Sequence, residues 1–299
     1  GHGCGHHMQG PACLGAAAAL KNLDTDRPFR IVVYGTPAEE TLGSKCDMIK
    51  KGCFHDLDVA FMMHGGPNTC TDVRCLAQRS FHVTFHGKRA HAALAPDKGR
   101  SAFDALLAAF QGIEFLREHV PDDVRMHYTV AKLPGPANVV PAEAEGEFAI
   151  RSFSRKTLEG VCERFLDIIK GASLIAGVDY EIKEGTFFFN KIPVLKLNEL
   201  LMDNARLAGA PQLAPPREKT GSTDFGNVMY EIPGSCIRVA FVPEGTPSHS
   251  QEFVDAGKTE AAHNCILYGA KAIAGASLDL IMTDGLMEQV KAEFAENKK

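Results

Sequence analysis

The chain has 299 residues, 45% of them hydrophobic and 23% charged, with a formal net charge of −5. That composition describes a globular protein of one large domain or two ordinary ones, and it offers no basic field for nucleic acid or an anionic membrane surface. The nine cysteines are an odd, scattered set, which favours reduced thiols and a cytoplasmic setting over a disulfide framework.

The chain opens on "GHGCGHHMQG", three histidines and a cysteine spaced by glycines. Gly5 to Met8 could be a purification tag, yet a tag rarely carries a cysteine. Cys4 and His6 match no zinc-finger spacing. In extended chain, however, residues i and i+2 point the same way and could share an ion. Residues 11–21 read as a helix of small residues. "LGAAAAL" within it is too short to cross a membrane, and no other apolar run approaches a span.

"FRIVVYG" (29–35) is a continuous apolar run ending in Gly, the pattern of a buried parallel strand. "GTPAEE" (35–40) then opens a predicted helix. Thr36 and Glu39 form a capping box and Pro37 suits the first helical position. Glu39 and Glu40 could equally divide two tasks, one binding a metal while its neighbour moves a proton. "DVAFMMH" (58–64) is a second buried strand, closing a strand-helix-strand unit whose strand ends carry function. His64 sits at such an end, where a hydrogen-bonded core histidine is the plainer alternative.

The pattern changes near Ala77. "FHVTFHGK" (81–88) alternates as a half-exposed strand. Ser101 caps a helix with Phe103, Leu106, Leu107, Phe110 and Ile113 at helical spacing. Two strands follow, then a helix with Leu158, Val161, Cys162, Phe165, Ile168 and Ile169 on one face, then "VDYEIKEGTFFF" (178–189). This β-α-β-β-α-β order is that of a ferredoxin-like α+β domain. His91 lies in a strand-helix loop, Asn138 between Pro-rich turns and Arg151 at a strand end; each is also ordinary surface chemistry. Buried strands and helices resume in "VLKLNELLMDNARLAG", "CIRVAFV" and an alanine-rich helix from Thr259. His249 occupies the turn-rich "EGTPSHS". The expected architecture is an α/β domain with a mostly parallel sheet (1–76 and 190–299), interrupted by the α+β domain (77–189).

Other chemistries lack their residues. "GHGCGH" misses the third glycine of a dinucleotide loop and no strand precedes it. Lys219-Thr220-Gly221 has no Ser-x-x-Lys partner, and no Gly-x-Ser-x-Gly elbow occurs.

Taken in order, "GHGCGHH", "GTPAEE", "VAFMMHGG", "GKRAHAA", "NVVP", "GSTDFG" and "GTPSHS" resemble the M20 family of metallopeptidases and amidohydrolases across nearly the whole chain. The resemblance is to its aminoacylase, aminobenzoyl-glutamate hydrolase and β-alanyl dipeptidase branch, and it implies that the histidines near the start are native. It implies a zinc-peptidase-like catalytic domain binding two divalent metal ions, zinc first, with manganese, cobalt or nickel also suited to the donors. Cys4, His6, Glu40, His64 and His249 would be the ligands and Glu39 the general base and acid. The α+β domain would be a lid that also forms a homodimer. From it His91 and Asn138 would reach across the dimer to the substrate carbonyl and its neighbours, and Arg151 would meet a substrate carboxylate. The implied substrate is an N-acyl amino acid or small dipeptide-like amide, with no nucleic acid or membrane partner. This chain has His7 where the branch has Asp or Asn. It also begins at the Cys-Gly-His motif, where the family carries further sheet strands, so an open sheet edge is expected. Two other functions remain: a non-catalytic M20-like binding or dimerisation module, and a thiol hydrolase with Cys4 as nucleophile and a histidine base.

Overall fold

The structure, a computed structural model, describes residues 2–299. A 3-10 turn (His6–Met8) runs into α1 (Gln9–Lys21), followed by α2 (Ser44–Lys50), β1 (Ala60–Gly66) and β2 (Cys70–Thr71). Next come β3 (Ala77–His86), β4 (Ala90–His91), α3 (Ala102–Arg117), β5 (Arg125–Lys132), β6 (Val139–Val140), β7 (Glu143–Ser152), α4 (Arg155–Ala176) and β8 (Asp179–Glu184). The chain ends in α5 (Leu195–Leu207), α6 (Phe225–Glu231), β9 (Gly234–Ala240), α7 (Gln251–Ala256), α8 (Glu260–Met282) and α9 (Leu286–Asn297). These elements form two compact units. One comprises the described residues up to Cys75 with Lys191–Lys299, the other Leu76–Asn190.

In the first unit, β9 lies between β1 and β2. It runs parallel to β1 and antiparallel to β2, so this sheet is mixed where a mostly parallel one was expected. β9 is almost wholly buried, as a central strand with both faces covered must be. Helix α8, capped by the Thr259 hydroxyl, lays its small residues over the sheet. Gly269 is required there, because a Cβ would come within 2.6 Å of Met63. In length and composition α8 could cross a membrane, which the sequence reading excluded of every run; in the fold it is a core helix contacting α1, α5, β1 and β9.

Two local expectations fail. "FRIVVYG" (29–35) is not a strand: it has no sheet partner among the described residues, and Phe29, Ile31, Val32 and Val33 are 37–41% exposed. An apolar run becomes a buried strand only where a neighbouring strand pairs with it. Nor does a helix start at Thr36. Ala38 takes a positive φ of 61°, and its carbonyl accepts from the N–H groups of Thr41, Leu42 and Gly43. The acidic pair thus sits in a tight turn, and α2 begins only at Ser44, after Gly43 at φ 62°.

The second unit is an antiparallel sheet in the order β5-β7-β3-β8, with element order β-α-β-β-α-β around it. Ser101 and Ser154 cap α3 and α4 by accepting from the N–H groups of Asp104 and Thr157. Alternate residues Ala144, Phe148 and Ile150 of β7 pack with Leu106 and Ile113 of α3 and Leu158, Phe165 and Ile169 of α4. Leu107, expected on that core face, is 48% exposed.

One buried charge organises the first unit. The side chain of Asp72 is fully buried and meets Lys191 Nζ at 2.9 Å, Arg217 Nε at 2.9 Å and Arg238 Nε at 3.0 Å. Burial would push its carboxyl up, but the charges of Lys191, Arg238 and Arg217 outweigh this and hold it far below the usual carboxylate range. Removing the anion strands its cations, so Asp72→Asn is expected to cost about 3–5 kcal/mol in urea unfolding at pH 7. A depressed carboxyl stabilises above its unfolded value of about 3.9 and loses that contribution as pH falls below it. The gap between wild type and Asp72→Asn should therefore narrow in melts taken from pH 5 toward pH 2.

Candidate metal centre

The first unit gathers its candidate donors from four separate stretches. Gly5, at φ 71°, turns the start of the chain so that His6 opens the 3-10 turn, and Met8 packs into the core with Phe241 and Phe253. Gly65 makes room for this turn, since a Cβ there would lie 2.5 Å from Met8 Cε. The His249 N–H donates to the Gly3 carbonyl at 2.8 Å, tying the loop before α7 to the same stretch. His249 itself has a positive φ of 65°. α2 and α6 are joined by Lys45 and Asp224, Nζ to Oδ1 at 2.7 Å with both side chains buried, which anchors the turn carrying Glu39 and Glu40.

The outcome is three overlapping triads. Cys4, His6 and His64 form one, Cys4, Glu40 and His249 a second, and His6, Glu39 and Glu40 a third, with donor atoms in each within 4.8 Å of one another. Cys4 Sγ is 3.5 Å from His64 Nε2, and His249 Nε2 is 3.3 Å from Glu40 Oε1. His6 Nε2 stands 3.8 Å from Glu40 and 3.9 Å from Glu39. The five expected ligands and Glu39 therefore meet, although no two of the four stretches adjoin in sequence.

The electrostatics of this cluster call for positive charge. Burial, then the Glu40 carboxylate, pushes the Cys4 thiol up to about 12. Burial raises the Glu39 carboxyl, against a hydrogen bond from Thr223 that lowers it. Burial lowers His6, and burial followed by the Arg238 charge takes His64 down to about 3, so these imidazoles stay neutral. His64 Nδ1 donates to the Gly65 carbonyl at 2.6 Å, leaving Nε2 as the lone-pair nitrogen on the Cys4 side. Neutral imidazoles, a thiol and closely spaced carboxylates are a donor set that suits a soft-to-borderline divalent cation.

His91, Asn138 and Arg151 belong to the second unit. His91 pairs with Val139 across β4 and β6, and the Ala92 N–H donates to the Asn138 carbonyl at 3.1 Å, so His91 and Asn138 are neighbours there. Both are exposed. The Nε of Arg151, near the end of β7, is buried without a hydrogen-bond partner among the described residues. His7, beside His6, turns its Nε2 away to the Gly257 carbonyl at 2.8 Å. Reasoning from sequence missed Lys45, Thr223 and Asp224 as supports of the acidic turn. "GSTDFG" held the only signal for two of them, and nothing flagged Lys45.

Comparison with known proteins accords with this geometry. Residues 1–274 match Peptidase family M20/M25/M40. The chain is 31% identical to Xaa-Arg dipeptidase of Mus musculus over 98% of its own length and 70% of that protein's. It is 28% identical to one of the p-aminobenzoyl-glutamate hydrolase polypeptides of Escherichia coli over 99% of its length and 74% of that protein's. In fold it is similar to a Bacillus subtilis M20 peptidase described as binding a dinuclear metal. That match has a TM-score of 0.69 and 18% identity over 94% of this chain and 74% of the other.

Cation binding here must displace the Cys4 proton, so Zn2+ affinity is expected to rise with pH through the neutral range, by up to tenfold per unit for one proton released. Calorimetry in buffers of different ionisation enthalpy would measure it. Cys4→Ala should abolish most of that proton release.

Proposed function

Because this chain belongs to peptidase family M20/M25/M40 and is an M20 hydrolase, we propose that it cleaves the amide bond of a dipeptide-like compound or N-acyl amino acid at the centre built on Cys4, His6, Glu40, His64 and His249. The observation that carries this reading is the set of overlapping triads, in which Cys4, His6 and Glu40 each serve two. Shared donors of that kind suit two neighbouring cations, zinc first, better than one. When bound, such cations would polarise the amide carbonyl and acidify water.

The remaining chemistry belongs to the chain. Glu39 takes a proton from the attacking water and delivers it to the departing amine nitrogen. Its carboxyl, raised by burial, lies closer to the working pH than an exposed glutamate would. Thr223 orients it, and Lys45 with Asp224 keeps the turn in place. His91 and Asn138, side by side in the second unit, would reach across a homodimer to the carbonyl oxygen and its surroundings, and Arg151 would meet a substrate carboxylate. That unit would then act as a lid of ferredoxin-like topology and as the surface of a homodimer. The nine free cysteines support a reducing, cytoplasmic setting.

A thiol mechanism fits less well, since a Cys4 proton held up to about 12 leaves little thiolate to attack. The relatives' names supply the substrates to try: an Xaa-Arg dipeptide and p-aminobenzoyl-glutamate. Glu39→Gln is expected to lower kcat by roughly 10²–10⁴-fold, with Zn2+ content by emission spectroscopy unchanged. Chelation should stop turnover and zinc restore it. Turnover that survives chelation yet stops with iodoacetamide would favour the thiol mechanism instead.

A further inference from the structure

Arg217 and Arg238 take no part in the scheme above, and no sequence signal pointed to either. β9 sets Arg238 opposite His64 of β1 and opposite Cys70 of β2, so the three side chains leave one face of the sheet. Asp72, two residues beyond Cys70, shares that face. Beside it the chain at Arg217 runs like a further strand. The Arg217 N–H donates to the Thr71 carbonyl at 2.8 Å, and the Val73 N–H donates to the Arg217 carbonyl at 2.9 Å. Both arginines thereby reach one carboxylate oxygen, Asp72 Oδ1, and both bond it through Nε.

The outer nitrogens of these two neighbouring guanidinium groups lack acceptors. Neither Nη of Arg217 has one among the described residues, and that side chain is 38% exposed. Arg238, 18% exposed, sets Nη1 3.0 Å from His64 Nδ1. The ring nitrogen already gives its proton to the Gly65 carbonyl, so this approach is donor against donor and satisfies neither group. Asp72 cannot neutralise both arginines, because it also meets Lys191 at 2.9 Å. No second carboxylate lies at ion-pair distance from Arg217 or Arg238 among the described residues. Part-buried donors with surplus positive charge call for an anion that carries several acceptor oxygens. The geometry points to an oxyanion-binding subsite whose ligand, a carboxylate or a phosphate, is held by the Nη fork of Arg217 and backed by Arg238. Asp72 sets the two guanidinium groups side by side, and Arg217 opens the subsite to solvent. It lies on the side of His64 away from Cys4, so its ligand leaves the metal donors free. The inference goes beyond the hydrolase reading and does not rest on it.

The test is equilibrium dialysis of the whole chain against labelled inorganic phosphate, with a neutral chelator present so that no metal ion holds the anion. Arg217→Met keeps the aliphatic stem and removes the fork, and is expected to weaken phosphate binding about 10- to 100-fold. Arg217→Lys, which keeps the charge without the fork, should recover part of that loss. Arg151→Met should bind phosphate like wild type, which separates this subsite from the carboxylate contact proposed for the second unit. Wild type that binds no phosphate at millimolar concentration overturns the inference, as does a folded Arg217→Met protein that binds it equally well. Should that variant fail to fold, phenylglyoxal labelling of wild type decides, read by mass spectrometry. Phosphate that slows modification of Arg217 upholds the subsite, and an unchanged rate overturns it. Adding p-aminobenzoyl-glutamate to the dialysis identifies the source of the oxyanion. Displacement of phosphate upholds the subsite as a seat for the anionic arm of a substrate, and full retention upholds it as a seat for a free oxyanion. Phosphate binding without turnover in any assay would count against the hydrolase alone.

Discussion

The close approach of the chain's first residues to the end of β1 is the contact on which the centre depends. Gly65 leaves the space that Met8 fills, and Met8 in turn packs with Phe241 and Phe253. With that contact made, Cys4 and His6 reach His64, and the Gly3 carbonyl captures the backbone of His249. A side chain at position 65 would collide with Met8 and Phe241, and the 3-10 turn that carries His6 would have to shift. The donors are thus placed by apolar packing, and their own mutual interactions are secondary.

Packing of that kind forces together groups that resist it. Cys4 and Glu39 are both driven toward their protonated forms by burial, while His6 and His64 are kept neutral by it. The protein accepts this electrostatic cost at the place where a cation would relieve it, as functional sites commonly do. Its other buried charges are treated differently. Asp72 and Asp224 each have cationic partners at hydrogen-bond distance, and both pairs stand directly behind the centre, one through Arg238 and the other through the start of α2. Strain is concentrated where chemistry is proposed, and neutralised charge forms the frame around it.

The second unit was the more legible in sequence. Its strands alternate and its helices carry a regular apolar face, because one side of each element meets the core and the other meets solvent. Ser101 marked the start of α3, whereas α4 was read from its apolar face alone and its Ser154 cap is seen only in the structure. Leu107 shows the limit of periodicity: it fits the spacing of the core face yet is half exposed.

For the first unit, the order of short motifs pointed to the family and to the residues that the fold brings into one cluster, since each motif is a local requirement of residue type and spacing. What the amino-acid order left open was every feature set by distant partners. An apolar run reads as a strand, but residues 29–35 have no sheet neighbour among the described residues. Thr36 to Glu39 reads as a capping box, but the turn at Ala38 displaces the helix to Ser44. The sheet is mixed because β2 returns antiparallel to β9. Asp72 and Arg238 stand 166 positions apart, and Lys45 and Asp224 stand 179 apart. Periodicity and capping are nearest-neighbour physics and are written along the chain. Charge pairing in the interior depends on which surfaces fold onto one another, and only the tertiary structure decides that.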